Sequence, residues 1–185
     1  MHAVNAGAAF PATTVAKLGG GTLTLGTPAE GRDWQMVVVY RGLHCPKCKT
    51  YLAKLETLLP DYHAEGVDVG IVSSDPVEKA QGMVDEMGLS MPVGYDLSLA
   101  QMADLGLYIS DPRSPQETDR PFPEPGLFVI NGAGTIQILD ISTAPFARPD
   151  LDGLIKRPSN RGSRNSGRVL PSHRAMRQCK ADNHD

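Results

Sequence analysis

The chain has 185 residues, of which 41% are hydrophobic, 21% charged and 5% aromatic, with three cysteines. This composition excludes a collagen-like repeat, a disulfide-dense scaffold and a chain disordered throughout. No apolar run approaches the roughly 20 residues that span a bilayer. The net charge of −3 hides a split, because residues 1–155 hold 10 Lys and Arg against 19 Asp and Glu, while residues 156–185 hold 8 against 2. The length and this split predict one domain over residues 1–155, followed by a basic, Ser/Asn/Gly-rich and disordered tail over 156–185. The N-terminal residues lack the charged-then-apolar pattern of a secretory signal, which predicts a cytoplasmic protein with free thiols.

In chain order, Thr22–Leu25 alternates polar with apolar residues, as a half-buried or edge strand does. Trp34–Tyr40 is nearly all apolar and β-branched, the composition of a strand covered on both faces. The short turn Arg41–Cys45 follows. Pro46 suits the first position of a helix, and Tyr51, Leu52, Leu55, Leu58 and Leu59 continue at helical spacing. Val67–Ser73 reads as a second buried strand, and Pro76–Met87 as a helix that Gly88 ends. Pro92–Asp96 predicts a short strand, and Ser98 caps a helix to about Leu105. Ser110–Pro125 holds five prolines without periodicity and reads as an exposed loop. Leu127–Asn131 and Thr135–Ile141 form a hairpin about Gly132-Ala133-Gly134, and Leu151–Lys156 is a short last helix. The order predicts an α/β fold with a mixed sheet and helices on both faces.

Chemistry concentrates in Cys45-Pro46-Lys47-Cys48, where the most hydrophobic strand turns into an amphipathic helix. Cysteines three apart at a helix start can reach disulfide distance. A sulfur at a helix N-terminus is favoured as thiolate by unpaired N–H groups and the helix dipole, and Lys47 and Arg41 add positive charge. The pattern predicts Cys45 as nucleophile and Cys48 as resolving thiol in thiol–disulfide exchange. His44 is placed to tune Cys45 or to line a substrate groove. Two other readings stay open: a pair of merely buried small residues, and a zinc or copper module using His44, Cys45 and Cys48. No other Cys or His has ligand spacing to the pair, so neither a metal nor a cofactor is expected. Trp34 and the methionines Met83, Met87, Met91 and Met102 read as packing. Asp33, just before the buried strand, is a candidate proton acceptor. The tail lacks aromatic stacking residues, so no nucleic-acid partner is expected, and Cys179 within it reads as a bystander thiol.

The stretch from Ala9 to about Leu154 resembles the thioredoxin-fold superfamily, specifically the peroxiredoxin-like branch of the AhpC/TSA (alkyl hydroperoxide reductase/thiol-specific antioxidant) family. The resemblance rests on Phe10-Pro11, on Val37-Val38-Val39-Tyr40-Arg41-Gly42 leading into the CxxC, on Ser73-Ser74-Asp75, and on Gly126–Gly132. It implies a three-layer thioredoxin-like fold. It also implies a redox enzyme acting on disulfides or hydroperoxides with a thiol reductant. Counted back from Cys45, the Thr/Ser place of the peroxiredoxin pattern Pro-x-x-x-Thr/Ser-x-x-Cys is Gly42 and its Pro place is Val38. The place of the peroxiredoxin arginine before the late strand is Pro125, where thioredoxins have a cis-proline facing the CxxC. Pro121 and Pro123 are near enough to compete for that role. These departures favour a thioredoxin-type disulfide oxidoreductase with Pro125 as substrate-positioning residue, and an atypical thiol peroxidase is the alternative.

Overall fold

The computed structural model describes residues 4–155. The predicted tail 156–185 and Cys179 lie outside the described residues, as does the end of the last helix at Lys156. The strands are β1 (Thr13–Lys17), β2 (Thr22–Leu25), β3 (Trp34–Val39), β4 (Val67–Val72), β5 (Val93–Tyr95), β6 (Ile109–Ser110), β7 (Phe122–Pro123), β8 (Gly126–Asn131) and β9 (Ile136–Ile141). The helices are α1 (Pro46–Ala64), α2 (Val77–Met87), α3 (Leu99–Asp104) and α4 (Leu151–Ile155).

Seven strands form one mixed sheet in the order β2-β1-β5-β4-β3-β8-β9. Strand β3 runs parallel to β4 and antiparallel to β8, which makes it the hinge between the parallel and antiparallel parts. All its residues after Trp34 are buried, as its continuous apolar run requires. Alternation sends Met36, Val38 and Tyr40 into a core shared with α1, α2 and α4. Val37 and Val39 enter a second core with Leu97, Met102, Leu105, Phe128 and Ile130 on the other face. The result is the three-layer, thioredoxin-like α/β fold, with helices on both faces of a mixed sheet. Phe128 anchors the second core, with its ring edge-on to Phe10 at a 5.3 Å centroid separation. Replacing this fully buried ring by alanine should cost about 3–5 kcal/mol, read as a lower urea midpoint at unchanged slope.

Two helix boundaries follow from caps legible in the sequence. Gly88 adopts the left-handed conformation and ends α2 by donating its N–H to the Val84 carbonyl. Ser98 and Gln101 make a reciprocal capping box at the start of α3. Other expectations need correction. Strand β1 was not evident, because threonine occupies one of its inward positions, Thr13, and breaks the apolar alternation. The expected exposed loop 110–125 is partly ordered and buried. Strand β7 pairs with β6, and Phe122, Thr118 and Glu124 are buried. Glu117, Asp119 and Glu124 face Arg41 and Lys79 of the body, and Glu117 also pairs with Arg113 within the segment, so a composition that reads as a solvated loop is an ion-paired cover. No described helix is long and apolar enough to cross a membrane.

Candidate active site

Three chain segments converge where β3 ends, and the sheet register explains why. Val39 pairs with Val72 of β4 on one side and with Gly126 of β8 on the other. The next residues of each segment, Tyr40–Cys45, Ser73–Asp75 and Glu124–Pro125, therefore emerge side by side. Ends of parallel strands at such a switch of direction are where α/β sheets present their chemistry.

Cys45 is the N-cap of α1, in extended conformation, and Pro46 occupies the first helical turn. Its Sγ accepts the backbone N–H of Cys48 at 3.2 Å, the hydrogen bond a serine or aspartate cap would take. Both cysteines are free, and both are buried, at 1% and 0% exposure. The two sulfurs share a proton unequally. A hydrogen bond from the Cys48 thiol, the Cys48 N–H and Arg41 outweigh burial and push Cys45 down to about 6. Cys48 is driven the opposite way, first by donating to Cys45 and then by burial, with Arg148 opposing. Of the two sulfurs, Cys45 is thus the one favoured as thiolate, with the Cys48 thiol as its donor.

Each sulfur has its own arginine. Arg41 is positioned by Glu124 (Nε–Oε2 3.3 Å) and Glu117 (Nη2–Oε1 3.8 Å), and its guanidinium lies 4.5 Å above the Phe122 ring. Arg148, in the segment between β9 and α4, donates from Nη2 to Cys48 Sγ at 3.0 Å. Sequence reasoning missed Arg148 altogether. The one signal for it is that it is the only basic residue between Arg120 and Lys156, set between Pro145 and Pro149.

The turn before Cys45 is held by Asp75, whose Oδ2 accepts the Leu43 N–H at 2.7 Å. Burial pushes the Asp75 carboxyl up, and the Leu43 N–H and nearby Lys79 oppose that rise. Gly42 lets Asp75 in. Its φ is +139°, and a Cβ there would sit 2.7 Å from Asp75 Oδ1 and 3.0 Å from His44 Nδ1. The glycine at the Thr/Ser place is therefore explained by the carboxylate beneath it. Gly42→Ala should destabilise the fold by about 1–3 kcal/mol and slow Cys45 alkylation, measured by denaturant titration and by iodoacetamide kinetics.

The remaining predicted residues divide. His44 abuts the site with its ring 4.7 Å from that of Phe122, and burial and then Arg41 hold its pKa below the ordinary value. Lys47 is exposed and lines an open groove of about 440 Å³ with Tyr51, Lys54, Phe146 and Arg148. The charge acting on Cys45 is that of Arg41. Pro125 is buried near Arg148 in a narrow cleft with Tyr51, but no described peptide bond is cis. The expected cis-proline geometry is therefore corrected, for Pro125 and equally for Pro121 and Pro123. The backbone there is already engaged: Glu124 donates its N–H to Tyr108 (2.8 Å), and the Pro125 carbonyl accepts from Ser142 (3.0 Å). Asp33 lies before the start of β3, at the opposite end of the strand from Cys45, where its N–H bonds the Gly66 carbonyl. Among the described residues, no group of three or more His, Cys, Asp or Glu side chains could hold a metal ion.

The sequence profile of the AhpC/TSA family matches residues 6–138. The chain belongs to the AhpC/TSA family. Its members are oxidoreductases. Solved structures agree on the fold. A peroxiredoxin-like protein from Aquifex aeolicus superposes with a TM-score of 0.70 at 18% identity, over 85% of this chain and 87% of that one. Peroxidoxin BcpB from Mycobacterium tuberculosis gives 0.67 at 17% identity, over 85% and 98%. The bacterioferritin comigratory protein of Xanthomonas campestris, described for its alkyl peroxide reduction activity, gives 0.61 at 18% identity, over 80% and 90%. No curated protein matches the chain in sequence.

Proposed function

We propose that residues 1–155 form a dithiol oxidoreductase whose oxidant is a small hydroperoxide and whose product is a Cys45–Cys48 disulfide. The observation that carries this reading is a Cys45 sulfur at the N-cap of α1, hydrogen-bonded by the Cys48 N–H and only 1% exposed, with its partner thiol in the same helical turn. A buried sulfur is accessible to a small oxidant before it is accessible to a folded protein substrate. In the first step Cys45 Sγ⁻ attacks the terminal peroxide oxygen, the O–O bond breaks, and the alkoxide or hydroxide leaves with a proton. Cys45 becomes a sulfenic acid. In the second step Cys48 Sγ displaces the hydroxyl, which leaves as water, and the disulfide forms. Two equivalents of a thiol reductant then restore the dithiol by exchange. A compartment supplying such thiols, such as the cytoplasm, suits this cycle.

Protein disulfides are the second reading, and the CxxC at a helix N-terminus favours it. The trans peptide before Pro125 and the engaged Glu124 and Pro125 backbone speak against it, because a peptide substrate would find no free strand to pair with. The test is the product. Reduced protein treated with one equivalent of hydrogen peroxide should lose two thiols and two mass units, with the disulfide mapped to Cys45 and Cys48. Protein that keeps both thiols under peroxide but reduces insulin would support the second reading instead.

A further inference from the structure

Two thiols and two arginines share this site, yet the peroxide step uses only one of each. Arg148 touches the other thiol, and two further contacts hold it there. Its Nη2 reaches Cys48 Sγ at 3.0 Å, and its Nε donates to the Pro145 carbonyl at 3.0 Å. Its guanidinium lies 4.9 Å over the Tyr51 ring, and the Tyr51 hydroxyl fixes the same segment by donating to the Pro149 carbonyl at 3.0 Å. Tyr51 stands one helical turn after Cys48 on α1, so the ring under the guanidinium and the Cys48 sulfur are neighbours on one helix. A fixed guanidinium makes a charge-assisted hydrogen bond that favours the ionised form of its partner.

We propose that Arg148 is the positioning residue that activates Cys48 for the resolving step. The inference rests on the reading that Cys45 is oxidised first. While Cys45 carries the negative charge, Cys48 serves as its donor and stays protonated. Oxidation of Cys45 to the sulfenic acid removes that charge, and burial and Arg148 are then the main opposed influences on Cys48. Its thiolate forms against Arg148 and attacks Cys45 Sγ. The S–S bond forms, the S–O bond breaks, and the departing hydroxide takes the proton that Cys48 released. No outside electron is needed. Arg148 thus orders the two steps, because Cys48 becomes nucleophilic only after Cys45 has reacted.

Arg148→Met keeps a long unbranched side chain and removes the charge and the hydrogen bond to Cys48. With hydrogen peroxide it should slow disulfide formation by about tenfold or more, while the initial oxidation of Cys45 changes by less than about threefold. Sulfenic acid should accumulate and be trapped by dimedone, and Arg148→Lys should restore most of the resolving rate. A slowed first step with unchanged resolution, or no change in either, overturns the proposal. A second measurement is independent of peroxide chemistry. In a Cys45→Ser background, Arg148→Met and Arg148→Gln should each raise the pH at which the Cys48 thiolate absorbance appears at 240 nm. An unmoved midpoint in folded protein overturns the role of Arg148 whether or not peroxide is the oxidant. Absence of any Cys45 oxidation in the wild type, with that midpoint still moved, overturns the peroxide reading alone.

Discussion

Cys45→Ser abolishes peroxide-dependent turnover, lowering it on the order of a thousandfold or more, when hydrogen peroxide consumption is followed with dithiothreitol as electron source. The fold should survive this change, because Cys45 is an N-cap and serine is among the best capping residues. Its hydroxyl can accept the Cys48 N–H in place of the sulfur. The loss is therefore chemical, and a retained cooperative urea transition alongside it makes that distinction. Cys48 cannot take over. It lacks the helix-cap position and the Arg41 side-chain contact that serve Cys45. Turnover within tenfold of the wild type in Cys45→Ser would mean that Cys48 is the attacked sulfur.

Cys48→Ala has the second large effect, and it separates activation from resolution. The Cys48 thiol is the strongest single influence holding Cys45 down at about 6. With it gone, the backbone N–H of residue 48 and Arg41 remain, and burial works against them. The midpoint of the pH–rate curve for Cys45 alkylation should therefore rise from about 6. The sign for stability follows from the same shift. Cys45 releases its proton near 6 when folded and near the ordinary thiol value when unfolded, so the unfolded chain binds more protons between these values. Wild-type stability should rise with pH across this window and fall as pH drops through about 6. Cys48→Ala should narrow the window. With no resolving thiol, peroxide should leave a sulfenic acid on Cys45 that dimedone captures and that excess peroxide carries to the sulfinic acid. An alkylation midpoint unmoved by Cys48→Ala would contradict the shared-proton description of the pair.

The features legible in the sequence are those with local causes. Strand β3 is announced by five consecutive apolar or aromatic residues from Met36 to Tyr40, with Trp34 before them across Gln35, and the CxxC by its position at the next helix start. Gly88 and Ser98 mark helix ends through backbone conformation and capping, which neighbouring residues decide. The site's supports are different in kind. Asp75 lies 32 residues from the Leu43 N–H it accepts, and Arg148 lies 100 residues from Cys48. Neither spacing carries a periodic or motif signal. The role of Gly42 was hidden for the same reason, since the conformation it permits matters only because Asp75 fills the space a side chain would need. The prolines before β8 misled for an opposite reason. Their number suggested a loop and their position a cis bond, whereas the segment is a short ladder with trans peptides. Its ion pairs reach back to Arg41.

The exchange of one expected support for two observed ones bears on function. Aligned on the late strand Gly126–Ile130, the place of the peroxiredoxin arginine is Pro125, and that absence favoured disulfide exchange. Folding returns guanidinium groups to the site from elsewhere, Arg41 from the strand end and Arg148 from beyond β9. Charge at a thiol pair depends on where side chains arrive, not on where they sit in the sequence.

The most direct test of the central claim is the second-order rate constant for oxidation of the reduced protein by hydrogen peroxide at pH 7, measured by stopped-flow thiol loss. Ionisation alone, with Cys45 near 6 against a free thiol near 8.5, contributes ~30-fold over a free cysteine. A site built for peroxide should exceed that factor clearly, with the fast phase lost in Cys45→Ser. A rate no faster than that of a free cysteine thiol would contradict the account.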